Sequence, residues 1–228
     1  MAPQLQPIKL YGLGRTANPL KVAIILEELD LAYENVPVAL ADVKKPEYTA
    51  VNPNGRLPSI EDPNTGITLW ESGAILEYLI ETYDKHRHFS FAPETPEFWH
   101  ARQWLYFQTS GQGPYYGQLG WYKLFEQDPN PSAIERYTKE ANRVSGVLDG
   151  WLAQEKGKHA KSDGPWLVGN KLSYADISFI PWQHVMGVAL ADAYDQAKFP
   201  HLQEWFDKII SRPAVQKALQ RGAQSGGH

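Results

Sequence analysis

"LPSIEDPNTGITLWESGAILEYL", residues 57–79, is the stretch on which the fold turns. Two short β-type runs, "LPSIED" and "GITLW", flank the turn "DPNTG". The period then changes, with Ile75, Leu76, Leu79, Ile80 and Tyr83 recurring at helical spacing. The stretch therefore predicts β-β-α. Pro58 stands just before an apolar β run, where proline removes a ladder donor and is confined to an edge or a strand start. Ser72 falls in the first turn of the predicted helix, where its N–H and hydroxyl can hold a carboxylate against the helix dipole; Glu71 beside it can hold an ammonium. The same two residues also read as an ordinary capping serine with an acidic neighbour.

Towards the N-terminus, "IKLYGL" is a short β run ending in glycine, and Val22, Ile25, Leu26 and Leu29 follow at i, i+3, i+4 and i+7. "YENVPVAL" supplies a second strand, so a β-α-β unit precedes the β-β-α one. Towards the C-terminus, "DKHRHFSFAPETP" breaks all periodicity, and its His86 and His88 have no third metal ligand at suitable spacing. Beyond it the chain reads helical: Ile134, Tyr137, Ala141, Val144, Leu148, Trp151 and Leu152 step by three and four, as do Leu202, Trp205, Phe206, Ile209 and Ile210. The expected organisation is a mixed α/β domain over 1–84, a linker over 85–96 and an all-helical domain over 97–228. "LSYADISF" holds Ser173 and Asp176 as a capping box at the head of an apolar helix, read as structural.

Composition narrows the chemistry. A net charge of -4, from 22 basic and 26 acidic residues well mixed along the chain, leaves no footprint for nucleic acid or an anionic membrane. Cys is absent from the sequence, so disulfides, cysteine nucleophiles and zinc-thiolate sites are excluded, and thiol chemistry needs a thiol carried in by a ligand. The opening "MAPQLQPIKL" lacks a basic region followed by an apolar run, and no apolar stretch approaches the ~20 residues of a membrane span, so cytoplasmic residence is expected.

"NPNGRLPSI", "LWESGAILEYL" and "LSYADISF", in this order, give the chain a resemblance to the glutathione transferases that covers nearly its whole length. "TANPLKVAIILEE", "QGPYYGQ" and "AIERY" resemble the fungal nitrogen-regulator-like group and the bacterial nu class, whose members reduce disulfides with glutathione. The resemblance implies a thioredoxin-like N-terminal domain, an all-α C-terminal domain and a homodimer. It implies glutathione as co-substrate with no metal, a small electrophile or disulfide as second substrate, and a detoxifying role. It further implies a cis bond at Pro58, with the Leu57 N–H and C=O turned out to pair with a peptide ligand, and a γ-glutamyl end held by Glu71 and Ser72. Arg56 is a candidate for the glycyl carboxylate or a solvated loop residue, and Arg136 in "AIERY" belongs to the glutathione site of the resembling group or to a surface ion pair.

If glutathione is the ligand, its thiol must be activated. A thiol of pKa ≈ 8.5 is only a few per cent thiolate at neutral pH, so donors must be aimed at sulfur. "GRTANPLKVAIILEEL", residues 14–29, provides a helix N-terminus with the Thr16 hydroxyl and the Asn18 amide as catalytic candidates, although both residue types also favour caps. Where serine-type families would carry the hydroxyl this chain has Ala17, and Tyr11, inside the strand, reads as core. Within "QTSGQGPYYGQLGWYKLF", residues 108–125, Pro114 predicts a helix kink. Gln112, Tyr115, Tyr116 and Trp121, with Tyr122, are read as the wall of a second-substrate pocket or as an aromatic core. The function expected is a glutathione-dependent transferase with disulfide reductase activity. The alternative is a non-catalytic glutathione-binding regulator of the same fold; the yeast regulator carries a long asparagine-rich N-terminal extension, and here the first strand begins after only seven residues, which favours the enzyme.

Overall fold

The computed structural model describes residues 5–159 and 163–225. Its elements run β1 (Ile8–Tyr11), α1 (Ala17–Glu28), β2 (Tyr33–Val36), α2 (Pro46–Thr49), β3 (Ser59–Asp62), β4 (Ile67–Trp70) and α3 (Ser72–Tyr83). Six helices follow: α4 (Pro96–Phe107), α5 (Gly113–Leu124), α6 (Pro131–Lys158), α7 (Tyr174–Ala189), α8 (Pro200–Ile210) and α9 (Pro213–Ser225). They form two compact units, Arg87–Ile210 being one and the residues before and after it the other.

In the first unit the sheet order is β2-β1-β3-β4, with β1 and β2 parallel and the other two pairings antiparallel. The alternation of Ile8 and Leu10, with Ile60 opposite Leu10, buries one face of the strands against α1 and α3. "YENVPVAL" is strand only as far as Val36, because Pro37 has no N–H to continue the ladder. Helix α1 is buried from Pro19 to Leu26, a wider apolar surface than one stripe, because α9 covers its remaining side. Two ion-pair groups fix that cover. Arg212 donates to both carboxylate oxygens of Glu28 at 2.6 and 2.8 Å, while Lys217 and Arg221 reach Glu27 at 2.6 and 3.2 Å. The approach is tight at Gly222, where a Cβ would stand 2.6 Å from the carbonyl oxygen of Gly14, before α1, and 2.9 Å from Leu20 of α1.

The second unit is helical. Trp104, Leu119, Val144, Leu148, Leu152, Ile177, Phe179 and Trp205 fill its interior. The Pro114 kink takes a definite form. Proline 114 lies in the first turn of α5, and the irregularity falls one turn earlier, as a π-helical segment over Gln108–Gln112. Proline removes the bond to the carbonyl four residues back and crowds it, which widens that turn. Asp176 at the head of α7 closes a buried hub: its carboxylate accepts from Ser173 N at 2.9 Å, Ser173 Oγ at 2.7 Å, Leu167 N at 2.8 Å and Trp205 Nε1 at 3.0 Å. The capping box read from "LSYADISF" is present as a structural device.

Candidate functional site

The loop between β1 and α1 is held from three sides within the first unit. Asn35 of β2 clamps Leu13, its Oδ1 accepting from the Leu13 N–H at 3.0 Å and its Nδ2 donating to the Leu13 carbonyl at 3.3 Å. Gly12, at φ 76°, packs so closely on Leu57 that a Cβ there would lie 2.5 Å from the leucine methyls. Gly222 supports Gly14 from behind.

This loop delivers Thr16 as the N-cap residue of α1, exposed, with extended backbone and no capping bond from its side chain. The reason is in the sequence. An N-cap hydroxyl normally accepts from the N–H of the second or third helical residue, and the third is Pro19, which has none. Among the described residues the Thr16 hydroxyl makes no hydrogen bond, and Asn18 is half-buried in the first turn. Tyr11 points elsewhere: its hydroxyl donates to Glu61 at 2.8 Å, and burial, then Glu61, push its pKa up to about 12.

The second wall is the loop 52–58. Tyr48 Oη and Asn52 Nδ2 donate to the Arg56 carbonyl at 2.8 and 2.6 Å, and Asn52 is 1% exposed, so the backbone here is fixed while the Arg56 side chain stays exposed. The Leu57–Pro58 bond is cis, Pro58 is buried, and no hydrogen bond to the Leu57 N–H or C=O is found among the described residues.

The third wall is the head of α3. Its N-cap residue, Glu71, sits at φ 70° and ψ 113°, a conformation that costs a non-glycine residue of order 1–3 kcal/mol and that clusters at functional sites. Its carboxylate lies 3.4 Å from Asn54 Nδ2 and makes no capping bond. Behind it, Ser72 is 7% exposed, and Lys21 reaches it from α1 with Nζ 3.4 Å from the Ser72 Oγ. Lys21 is itself 2% exposed; burial lowers its pKa from 10.5 to about 7, and the charge of Glu71 opposes the fall. The sequence reading passed over Lys21, Asn35 and Asn52. Lys21 had a signal, since it falls four residues before Ile25 on the apolar stripe of α1.

In the second unit the heads of α4 and α6 are capped by side chains. Thr95 Oγ1 accepts from Phe98 N at 3.3 Å at the head of α4, and Asn130 Oδ1 accepts from Ala133 N at 3.1 Å at the head of α6. Of the aromatic candidates, Tyr116 and Gln112 are fully buried and belong to the interior of this unit. Tyr116 Oη contacts Ser145 Oγ at 2.7 Å and accepts from Gln183 Nε2 at 3.1 Å, while Gln112 Nε2 donates to the Phe179 carbonyl at 3.2 Å. Tyr115 is half-buried and lies with Tyr122 against Tyr137, the ring centroids 6.4 and 5.8 Å from that of Tyr137. Trp121 is exposed and stacks on Phe125. Arg136, exposed on α6, forms no ion pair among the described residues. Among the described residues no group of three or more His, Cys, Asp or Glu is placed to hold a metal, and no helix is long and apolar enough to cross a membrane.

Residues 6–81 match the family described as "Glutathione S-transferase, N-terminal domain" and residues 114–213 its C-terminal domain. The glutathione S-transferase-like protein gedE of Aspergillus terreus is 56% identical, covering 95% of this chain and 96% of that protein. Among solved structures, a glutathione transferase homolog from Lodderomyces elongisporus, with two GSH per subunit, has a TM-score of 0.88 at 35% identity, covering 95% of this chain and 99% of that one. The glutathione transferase URE2P6 from Phanerochaete chrysosporium, in complex with oxidized glutathione, has a TM-score of 0.86 at 40% identity, covering 99% and 100%.

Proposed function

This chain belongs to the glutathione S-transferase family, and from that premise we propose that it binds glutathione in the first unit and uses the bound thiolate to reduce small disulfides. The observation that carries the reading is the pair of helix N-termini, α1 and α3, whose cap residues make no side-chain capping bond and which are therefore left for a ligand. Glutathione carries a carboxylate at each end, one of them beside an ammonium, and its reacting sulfur is an anion as the thiolate. Its γ-glutamyl carboxylate goes to the Ser72 N–H and hydroxyl, its ammonium to Glu71, its peptide to the Leu57 backbone, and its glycyl carboxylate to the side of Arg56. The sulfur then faces the head of α1, where Thr16 and the Asn18 amide donate neutral hydrogen bonds to S⁻. In this reading residues 1–84 form the glutathione-binding domain, which α9 joins by packing on α1, and the rest of the helical part 97–228 folds as a unit of its own.

With no cysteine in the chain, both turnover thiols are glutathione. The bound thiolate attacks one sulfur of the disulfide, forming a mixed disulfide and releasing the other half as a thiolate that takes a proton from solvent. A second glutathione thiolate then attacks the glutathione sulfur of the mixed disulfide, leaving oxidised glutathione and releasing the second thiol. The protein acts as a cytoplasmic homodimer in this scheme; exposed Trp99 and Tyr106, seven residues apart on α4, offer apolar surface for a partner copy.

The test is the thiolate absorbance of the glutathione complex against pH, alongside the rate of reduction of a small dialkyl disulfide. Wild type shows a bound thiol pKa below 8.5 and a rate above the uncatalysed one. Asn18→Ala raises the thiol pKa and slows exchange near neutrality, with less effect at high pH. A wild-type rate equal to the uncatalysed one refutes the reductase reading and leaves conjugation or a silent binding module. A normal thiol pKa and rate in Asn18→Ala refutes the role of Asn18.

A further inference from the structure

Lys21 is an expensive residue in its position. Among the described residues no other lysine or arginine is buried, and an apolar side chain of the same length would pack on the stripe of α1 without the desolvation cost of an ammonium. One of the contacts that Lys21 makes is with Ser72. Its Nζ lies 3.4 Å from the Ser72 Oγ, across 51 residues of sequence, and an ammonium has only donors. The hydroxyl is the acceptor in that contact, so its own O–H proton is directed away from Lys21. Ser72 is the first residue of α3, and the cap residue before it gives the helix head no side-chain bond. A positive charge under an open helix N-terminus, with a hydroxyl oriented outward from it, is complementary to a carboxylate. Glu71 beside it supplies the opposite charge, so the three residues present a positive and a negative group side by side, the pattern of an α-amino acid end.

We propose that Lys21 is a positioning residue for the α-carboxylate of the γ-glutamyl group, orienting the Ser72 hydroxyl toward that carboxylate and placing its charge beneath the head of α3. The inference rests on the reading of this site as a glutathione site and adds to it the residue that selects the free α-carboxylate.

The experiment measures binding by calorimetry with S-methylglutathione, which cannot form a thiolate, and with the analogue in which the γ-glutamyl residue is replaced by 4-aminobutanoyl, which lacks only the α-carboxylate. Wild type and Lys21→Met are compared. Lys21→Met folds with a thermal midpoint at or above that of wild type, because the substitution replaces a buried ammonium by an apolar chain. It weakens S-methylglutathione binding roughly tenfold or more, as for loss of a charge-assisted contact, and changes binding of the carboxylate-free analogue less than about twofold. Equal weakening of both ligands assigns Lys21 a merely structural role and overturns the inference, as does unchanged binding of S-methylglutathione. Wild type that fails to bind S-methylglutathione overturns the glutathione reading of the site and the inference with it, an outcome distinct from the other two.

Discussion

The heads of α1 and α7 begin from the same kind of sequence, a hydroxyl residue before an apolar helix, and end in opposite states. At α7, Ser173 and Asp176 satisfy each other, and Asp176 also takes bonds from Leu167 and Trp205, so that this helix start is closed and buried. At α1, Thr16 stands exposed with no capping bond, and at α3 the cap is a glutamate held at φ 70° over a buried lysine. A closed head stabilises; an open one retains donors for a ligand, at a cost the rest of the unit must offset. Satisfaction of its own polar groups is what separates the structural end from the proposed binding end.

Opening the closed head has the largest expected effect. Asp176→Ala leaves the buried Leu167 N–H and Trp205 Nε1 without their acceptor; at about 1–3 kcal/mol for each orphaned donor, the loss is about 2–6 kcal/mol in chemical denaturation. A loss below about 1 kcal/mol breaks the contrast, for it shows that the hub was not needed.

Lys21→Met acts in the opposite direction. The pKa of Lys21 falls from 10.5 unfolded to about 7 folded, so between those values the unfolded state binds more protons and stability rises with pH. The penalty from Lys21 is present in full below pH about 7 and is relieved as pH approaches 10.5. Lys21→Met therefore raises stability by about 1–4 kcal/mol at pH 7, and the gain shrinks at pH 10. A gain independent of pH, or a loss at both values, contradicts a desolvated ammonium.

The smallest effect is the sharpest comparison. Thr95→Ala removes a cap bond to Phe98 N and costs about 1 kcal/mol, whereas Thr16→Ala removes none and changes stability by less than about 0.5 kcal/mol. In the proposed mechanism Thr16→Ala nonetheless slows disulfide exchange. Equal destabilisation by the two substitutions, read from thermal midpoints on the same chain, removes the distinction between closed and open heads.

Much of this was legible along the chain. Period-two and period-3.6 runs placed β1, α1, β3, β4 and α3, because burial of one face leaves its mark on residues close in sequence. "YENVPVAL" overreached because apolar residues after Pro37 look like strand while the ladder lacks its donor. The aromatic run 108–125 divided between interior and surface, since helical position alone does not say which side meets a neighbour: Tyr116 and Gln112 went inside, Trp121 outside.

What the sequence determined by itself was the order of elements, the absence of a protein thiol and the place of each motif, all of which depend on neighbours within a turn or a strand. It also held the reason Thr16 does not cap, in the proline three residues on. Only the tertiary structure decided that Lys21 lies under Ser72, that Gly12 receives Leu57, and that α9 returns to α1 to set Gly222 on the Gly14 carbonyl. Those contacts join residues tens to hundreds of positions apart. Their geometry is fixed by sheet register and helix packing, which no local period records.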